Sequence, residues 1–139
     1  MTTIQIKVPD WVDRVCAWPV MGYRRFKYGY PFRKIDMGEG RYTIVDEEDY
    51  YRYGNFKWGI GGHGTKFYAV RTVILEDGEI ETVRLHREIM KAPEGLLVDH
   101  RNGDSLDNRR ENLRIATQAE NMQNRRKRKN TTSQYIGVW

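Results

Sequence analysis

Between Leu97 and Lys127 the chain places two short apolar runs on either side of a loop of turn-forming residues and then opens a helix, an order compatible with few folds. The run from Leu96 to Val98 is too short for anything but a strand entering a core. RNGDSLDNRREN follows, dense in turn formers, and LRIAT reads as a second short strand. Thr117 is a good N-cap for a last helix, QAENMQNRRKRK, with Glu120 three residues on to complete a capping box. Strand, polar loop, strand and helix in this order bring the end of the first strand against the first turns of the helix.

Reactive side chains collect at that meeting point. Asp99 and His100 are adjacent at the strand end, so they point to opposite sides of the strand unless the backbone bends there. One can hold a metal while the other faces a nucleophilic water across a phosphate. Asn121, one helical turn past Thr117, offers an amide oxygen that completes a hard-oxygen site with Asp99. Two such donors leave most of an octahedron to water and phosphate oxygens, which suits Mg2+ or Mn2+, one ion per site. An unperturbed imidazole, with a pKa of about 6.5, makes His100 the candidate general base. Asn112, in the loop before the second strand, is the candidate to orient that ring. Asn124 and Arg125 follow Asn121 by three and four residues and share its helix face.

The composition sets the outer limits. At 139 residues, 39% apolar and 31% charged, the chain is about one domain's worth of a soluble globular protein. No stretch approaches the ~20 consecutive apolar residues of a membrane helix, and the start, MTTIQIKVPDWVDR, lacks the apolar core of a signal peptide. A cytoplasmic location, in a bacterial or phage-infected cell, is the expectation. The single Cys16 excludes an internal disulfide and the paired-cysteine zinc staple of some small metalloproteins. Lys and Arg (24) exceed Asp and Glu (19), for a net charge of +5, and RRKRK from Arg125 to Lys129 concentrates the excess. Such a run reads either as a solvated helix end or as a source of phosphate attraction without sequence information. On the second reading Arg109, Arg110, Asn124, Arg125, Arg126, Lys127 and Arg128 are the candidate DNA contacts.

The rest of the chain organises around this unit. Residues 1–40 are an aromatic and basic arm of no assigned structure, read as packing on the body rather than stacking on bases. Residues 41–94 are β-rich with short helices: RYTIV a strand, EEDYYRYG a short helix behind Asp46, FKWGI, KFYAVRTVIL and ETVRL strands, HREIMKA a short helix ended by Pro93. His63 falls in a glycine-rich loop and reads as solvated; His86, at the start of the last of these helices, reads as a capping or packing residue. Residues 95–129 form the reactive unit, and 130–139 a tail or the start of a further domain. Among the loop residues, Asp104 and Asn108 read as turn builders.

LVDHRNGDSLDNRRENLRIATQAENMQNRRK resembles the HNH homing-endonuclease family of phages and mobile introns. The resemblance implies a ββα-metal fold within an α+β chain, and DNA as the partner. It places the family's strand-end Asp on Asp99, its general-base His on His100, its central orienting Asn on Asn112 and its helix metal ligand on Asn121, where other HNH nucleases carry His. YTIVDEEDYYRYGNFKWGI, YAVR and LHREIM look like the β-rich stretch preceding the unit in phage members. NTTSQYIGVW is similar to the first strand of the DNA-binding domain of plant ethylene-response factors, cut short at Trp139. The implied activity is metal-dependent hydrolysis of DNA, nicking one strand for each site, by a monomer or weak dimer. A calcium loop fails on register, because Arg101, Gly103 and Asp104 occupy the third, fifth and sixth positions from Asp99. A catalytically silent DNA-binding protein is the alternative, and an acid beside the phosphates argues against it unless a cation intervenes.

Overall fold

Acidic residues in a first turn and basic ones in a last turn suit the helix dipole, and α1 (Asp10–Tyr28) has Asp10 and Asp13 at one end and Arg25 and Lys27 at the other. Gly29 ends it in the left-handed conformation, returning its N–H to the Arg25 carbonyl at 3.0 Å. The computed structural model describes residues 9–62 and 66–125. Its α1 falls where the sequence pattern supports no assignment. The reason is visible in the burial: the large apolar side chains of α1 face outward, so their spacing does not read as a core-facing stripe.

A tight hairpin comes next. β1 (Arg33–Gly38) pairs antiparallel with β2 (Arg41–Val45), and the two-residue connection, Glu39 and Gly40, is left-handed at both positions, as a type I′ turn requires. β1 alternates buried and exposed residues along its length, so Ile35 and Met37 enter the core. After α2 (Glu47–Tyr53), β3 (Gly59–Gly61), β4 (Tyr68–Ile74) and β5 (Ile80–Arg84) form a three-stranded antiparallel sheet in chain order. The strand expected over FKWGI is shorter than its composition suggests. Trp58 is buried, and its indole N–H is spent on the Tyr53 carbonyl at the end of α2, so pairing starts only at Gly59.

α3 (Leu85–Met90) leads into β6 (Leu97–His100), which pairs antiparallel with β7 (Leu113–Ala116). A single 3-10 turn, Arg110–Asn112, precedes β7, and α4 covers 118–125. The chain is thus α+β, and residues 97–125 run strand, loop, strand, helix as their pattern predicts. One core unites these pieces: Ile35, Met37, Val45, Trp58, Ala69, Leu85, Ile89 and Leu113 pack together, drawn from both sides of positions 40 and 94. The loop between β6 and β7 is itself seamed onto β2, since Ile44 N–H donates to Leu106 O at 3.0 Å and Asn108 N–H to Ile44 O at 2.8 Å.

Candidate active site

The end of β6 carries the two residues on which the site is built. Register sets Asp99 opposite Arg114 and His100 opposite Leu113. Asp99 is buried, and its Oδ2 accepts from Arg114 Nη2 at 2.6 Å and Nε at 3.1 Å. His100 is buried as well, at 5% exposure, with Nε2 lying 2.9 Å from Asn108 Oδ1.

A chain of hydrogen bonds sets the tautomer of that ring. The Thr43 hydroxyl gives its one proton to the Leu106 carbonyl at 2.7 Å. Its oxygen must then accept from Asn108 Nδ2, 2.8 Å away, which turns the amide oxygen of Asn108 toward His100. A carbonyl oxygen only accepts, so Nε2 carries the hydrogen and Nδ1 is the basic nitrogen of the ring. Burial holds the His100 pKa below the ordinary imidazole range, against the opposite pull of the Asn108 bond and of the Asp99, Asp104 and Asp107 carboxylates. The ring is therefore neutral near pH 7, as a general base requires.

Two further rings enclose it. His86, at the start of α3, meets His100 edge to face with centroids 5.2 Å apart, and Tyr68 of β4 lies 5.4 Å from His86 and 6.2 Å from His100. Burial, then the charges of His100, Arg84 and Arg87, lower the His86 pKa to about 3. Its buried Nδ1 has no hydrogen-bond partner among the described residues.

The side-chain bonds of Asn112, expected from sequence to orient the imidazole, lie within the loop. Its Oδ1 accepts from Asn102 N–H at 3.0 Å and its Nδ2 donates to Asp107 O at 2.8 Å, bonds that hold the loop closed. The orienting bond comes from Asn108, which is fully buried and so is more than the turn builder its neighbours suggest. Asp104 does build turns: it takes Leu106 N–H on its own Oδ1 while its N–H goes to Asn102 Oδ1.

Arg109 and Arg110, expected as DNA contacts, both make ion pairs within the fold. Asp107 binds Arg109 through both oxygens at 2.8 and 2.7 Å, and the guanidinium lies 3.5 Å over the Tyr30 ring. Arg110 grips the wholly buried Asp49 at 2.8 and 2.7 Å. Both cations are engaged in locking the loop to the body.

α4 begins as its sequence predicts. Thr117 N–H donates to Glu120 Oε2 at 2.8 Å and Glu120 N–H to Thr117 Oγ1 at 3.2 Å, the reciprocal pair of a capping box. Asn121 and Asn124 are half-buried on this helix and Arg125 is exposed. Asn121 is not part of the Asn108 network; its backbone N–H bonds to Thr117 O at 3.0 Å. His63, Arg126, Lys127, Arg128 and the NTTSQYIGVW segment lie outside the described residues. Among the described residues no three His, Cys, Asp or Glu side chains converge as a metal cluster. The donor pair expected from sequence is Asp99 and the Asn121 amide. Their chemistry, hard oxygens, fits Mg2+ or Mn2+.

Asn108, Thr43, Tyr68 and His86 are the members of the site that sequence reasoning missed. The available signal was His86 itself, a histidine at a helix start between two apolar residues, Leu85 and Ile89, that enter the core.

Comparison with protein families places this geometry. Residues 91–123, which span β6, the loop, β7 and the first turns of α4, match the family model described as HNH endonuclease. That domain family suggests nuclease action on DNA. No curated protein and no solved structure matches the chain. Among the described residues no helix is long and apolar enough to cross a membrane.

Proposed function

We propose that the protein is a divalent-metal-dependent endonuclease that hydrolyses DNA phosphodiesters, nicking one strand per active site. The observation that carries this reading is the buried His100, its Nε2–H donated to Asn108, directly beside the Asp99 carboxylate within the matched segment. His100 takes the proton of the attacking water at Nδ1. Asn108 holds the ring at the angle this needs, and Asn112 acts one step removed by keeping the loop that presents Asn108 closed. Asp99 and Asn121 would hold Mg2+ or Mn2+, whose charge would stabilise the transition-state phosphate and the leaving oxygen. Arg114 shares the Asp99 carboxylate and keeps it aimed. DNA phosphates are the expected partners of Asn124, Arg125 and the basic residues that follow.

A supercoiled plasmid incubated with the protein and Mg2+ tests this reading. Relaxed circles should form with Mg2+, vanish with chelator, and fall by about 10²–10⁴ in rate for His100→Ala. Equal cleavage by His100→Ala would overturn the assigned base. Salt-sensitive binding with no cleavage by the wild type would instead establish the silent DNA-binding reading. A homing role in a phage or mobile element belongs to this proposal as its biological extension, tested by whether cleavage is confined to one site in a long DNA.

A further inference from the structure

The outer face of α1 is an apolar stripe that nothing in the described chain covers. Trp11, Val15, Trp18 and Phe26 are 69%, 66%, 79% and 91% exposed, and their spacing aligns them with Gly22 along one side of the helix. The opposite side holds the helix to the body, through Asp13 on Arg33 at 2.7 Å, buried Ala17, and Arg24 on the Phe32 carbonyl. A contiguous exposed patch of this kind marks a binding surface.

We infer that this stripe pairs with the same stripe of a second copy, the two α1 helices running antiparallel about a two-fold axis near Trp18. The pattern is self-complementary in that arrangement. Trp11 of one copy meets Phe26 of the other, and Val15 meets Gly22, where an added Cβ would touch nothing in its own chain. Asp10 and Arg25, both exposed, lie on one side of the stripe near opposite ends of the helix. Antiparallel pairing sets each near its opposite charge. Nucleic acid fits the stripe less well, because the stripe carries no cation and one of its ends is acidic. The area suffices too: Trp and Phe side chains contribute about 150–250 Å² each, so three per copy bring on the order of 1,000 Å² of apolar surface. That approaches the roughly 1,200 Å² at the lower edge of specific interfaces before the surrounding side chains are counted.

Sedimentation equilibrium of the full chain, without DNA, tests the pairing. The wild type should sediment at twice the chain mass at micromolar concentrations, and Trp18→Glu should weaken association by about thirtyfold or more. Asp10→Arg and Arg25→Asp should each weaken it, and the double variant, in which the charges are exchanged in both copies, should recover it. A wild type that stays monomeric overturns the inference, whether the chain's own amino-terminal segment or nucleic acid then covers the stripe. So does a dimer that none of these substitutions disturbs, or a double variant that fails to recover.

Discussion

The loop joining β6 to β7 and the helix α1 dispose their side chains in opposite senses. In the loop, Asp107, Asn108 and Asn112 are polar and buried; Asp107 and Asn112 are bonded within the loop, and Asn108 reaches across to Thr43 of β2. On α1, Trp11, Trp18 and Phe26 are apolar and exposed. Burying a polar group costs free energy unless every donor and acceptor is met, so the loop is determined by its hydrogen bonds and tolerates little. An exposed ring loses nothing within its own chain when replaced. The two regions therefore answer substitution differently, one through the stability and geometry of the single chain and the other through what docks on it.

Asn108 is where the contrast should be sharpest. Asn108→Ala strands the buried His100 Nε2–H, at about 1–3 kcal/mol, takes away a bond accepted by the Thr43 hydroxyl, and frees the imidazole to turn. Chemical denaturation should show the loss, and plasmid nicking should slow in parallel. Asn108→Asp separates the two effects. A carboxylate still accepts from Nε2 but cannot donate to Thr43, so nicking should survive better than stability; equal loss of both would deny Asn108 its orienting role.

Arg110 tests the same region through charge. Removing it by Arg110→Ala leaves the carboxylate of Asp49 inside the protein without its bidentate partner, and breaking a buried pair from one side costs about 3 kcal/mol. A denaturation midpoint unchanged from wild type would return Arg110 to the pool of available DNA contacts.

Acid should loosen the site before it loosens the helix. His86 has a folded-state pKa of about 3, below the 6.5 of the free group, so the unfolded chain takes up the proton first. Its contribution to stability is complete above pH 6.5 and declines as pH falls toward 3, by about 1.4 kcal/mol per unit within that window. His100, also held below the ordinary range, acts in the same direction. His86→Phe should flatten the decline measured by denaturation at successive pH values, and an unchanged slope would assign it to other groups.

How far the sequence could be read follows from how far away each determinant lies. The capping box of Thr117 and Glu120, the strands on either side of the polar loop and the short helix behind Asp46 depend on neighbours within a few residues, and all are legible. Which asparagine of the loop turns inward is decided by Thr43, 65 residues earlier in the chain, so Asn112 and Asn108 could not be told apart locally. Arg109 and Arg110 read as surface cations for the same reason, since Tyr30 and Asp49 are remote in sequence. In α1 the difficulty is one of direction: the apolar pattern is helical, but it faces away from the core that such a pattern ordinarily serves.

The smallest effect should come from the largest exposed rings. Phe26→Ser removes a side chain that is 91% exposed, and surface changes of this kind shift the stability of a single chain by no more than about 0.5 kcal/mol. Dilution sharpens the test. If α1 pairs with a second copy, the wild type melts at a temperature that rises with protein concentration, because association stabilises only the folded state. Phe26→Ser should match the wild type when dilute and fall below it when concentrated. A variant that is less stable by the same amount at every concentration would mean that Phe26 supports its own chain, and the contrast between buried loop and outward-facing helix would lose its second half.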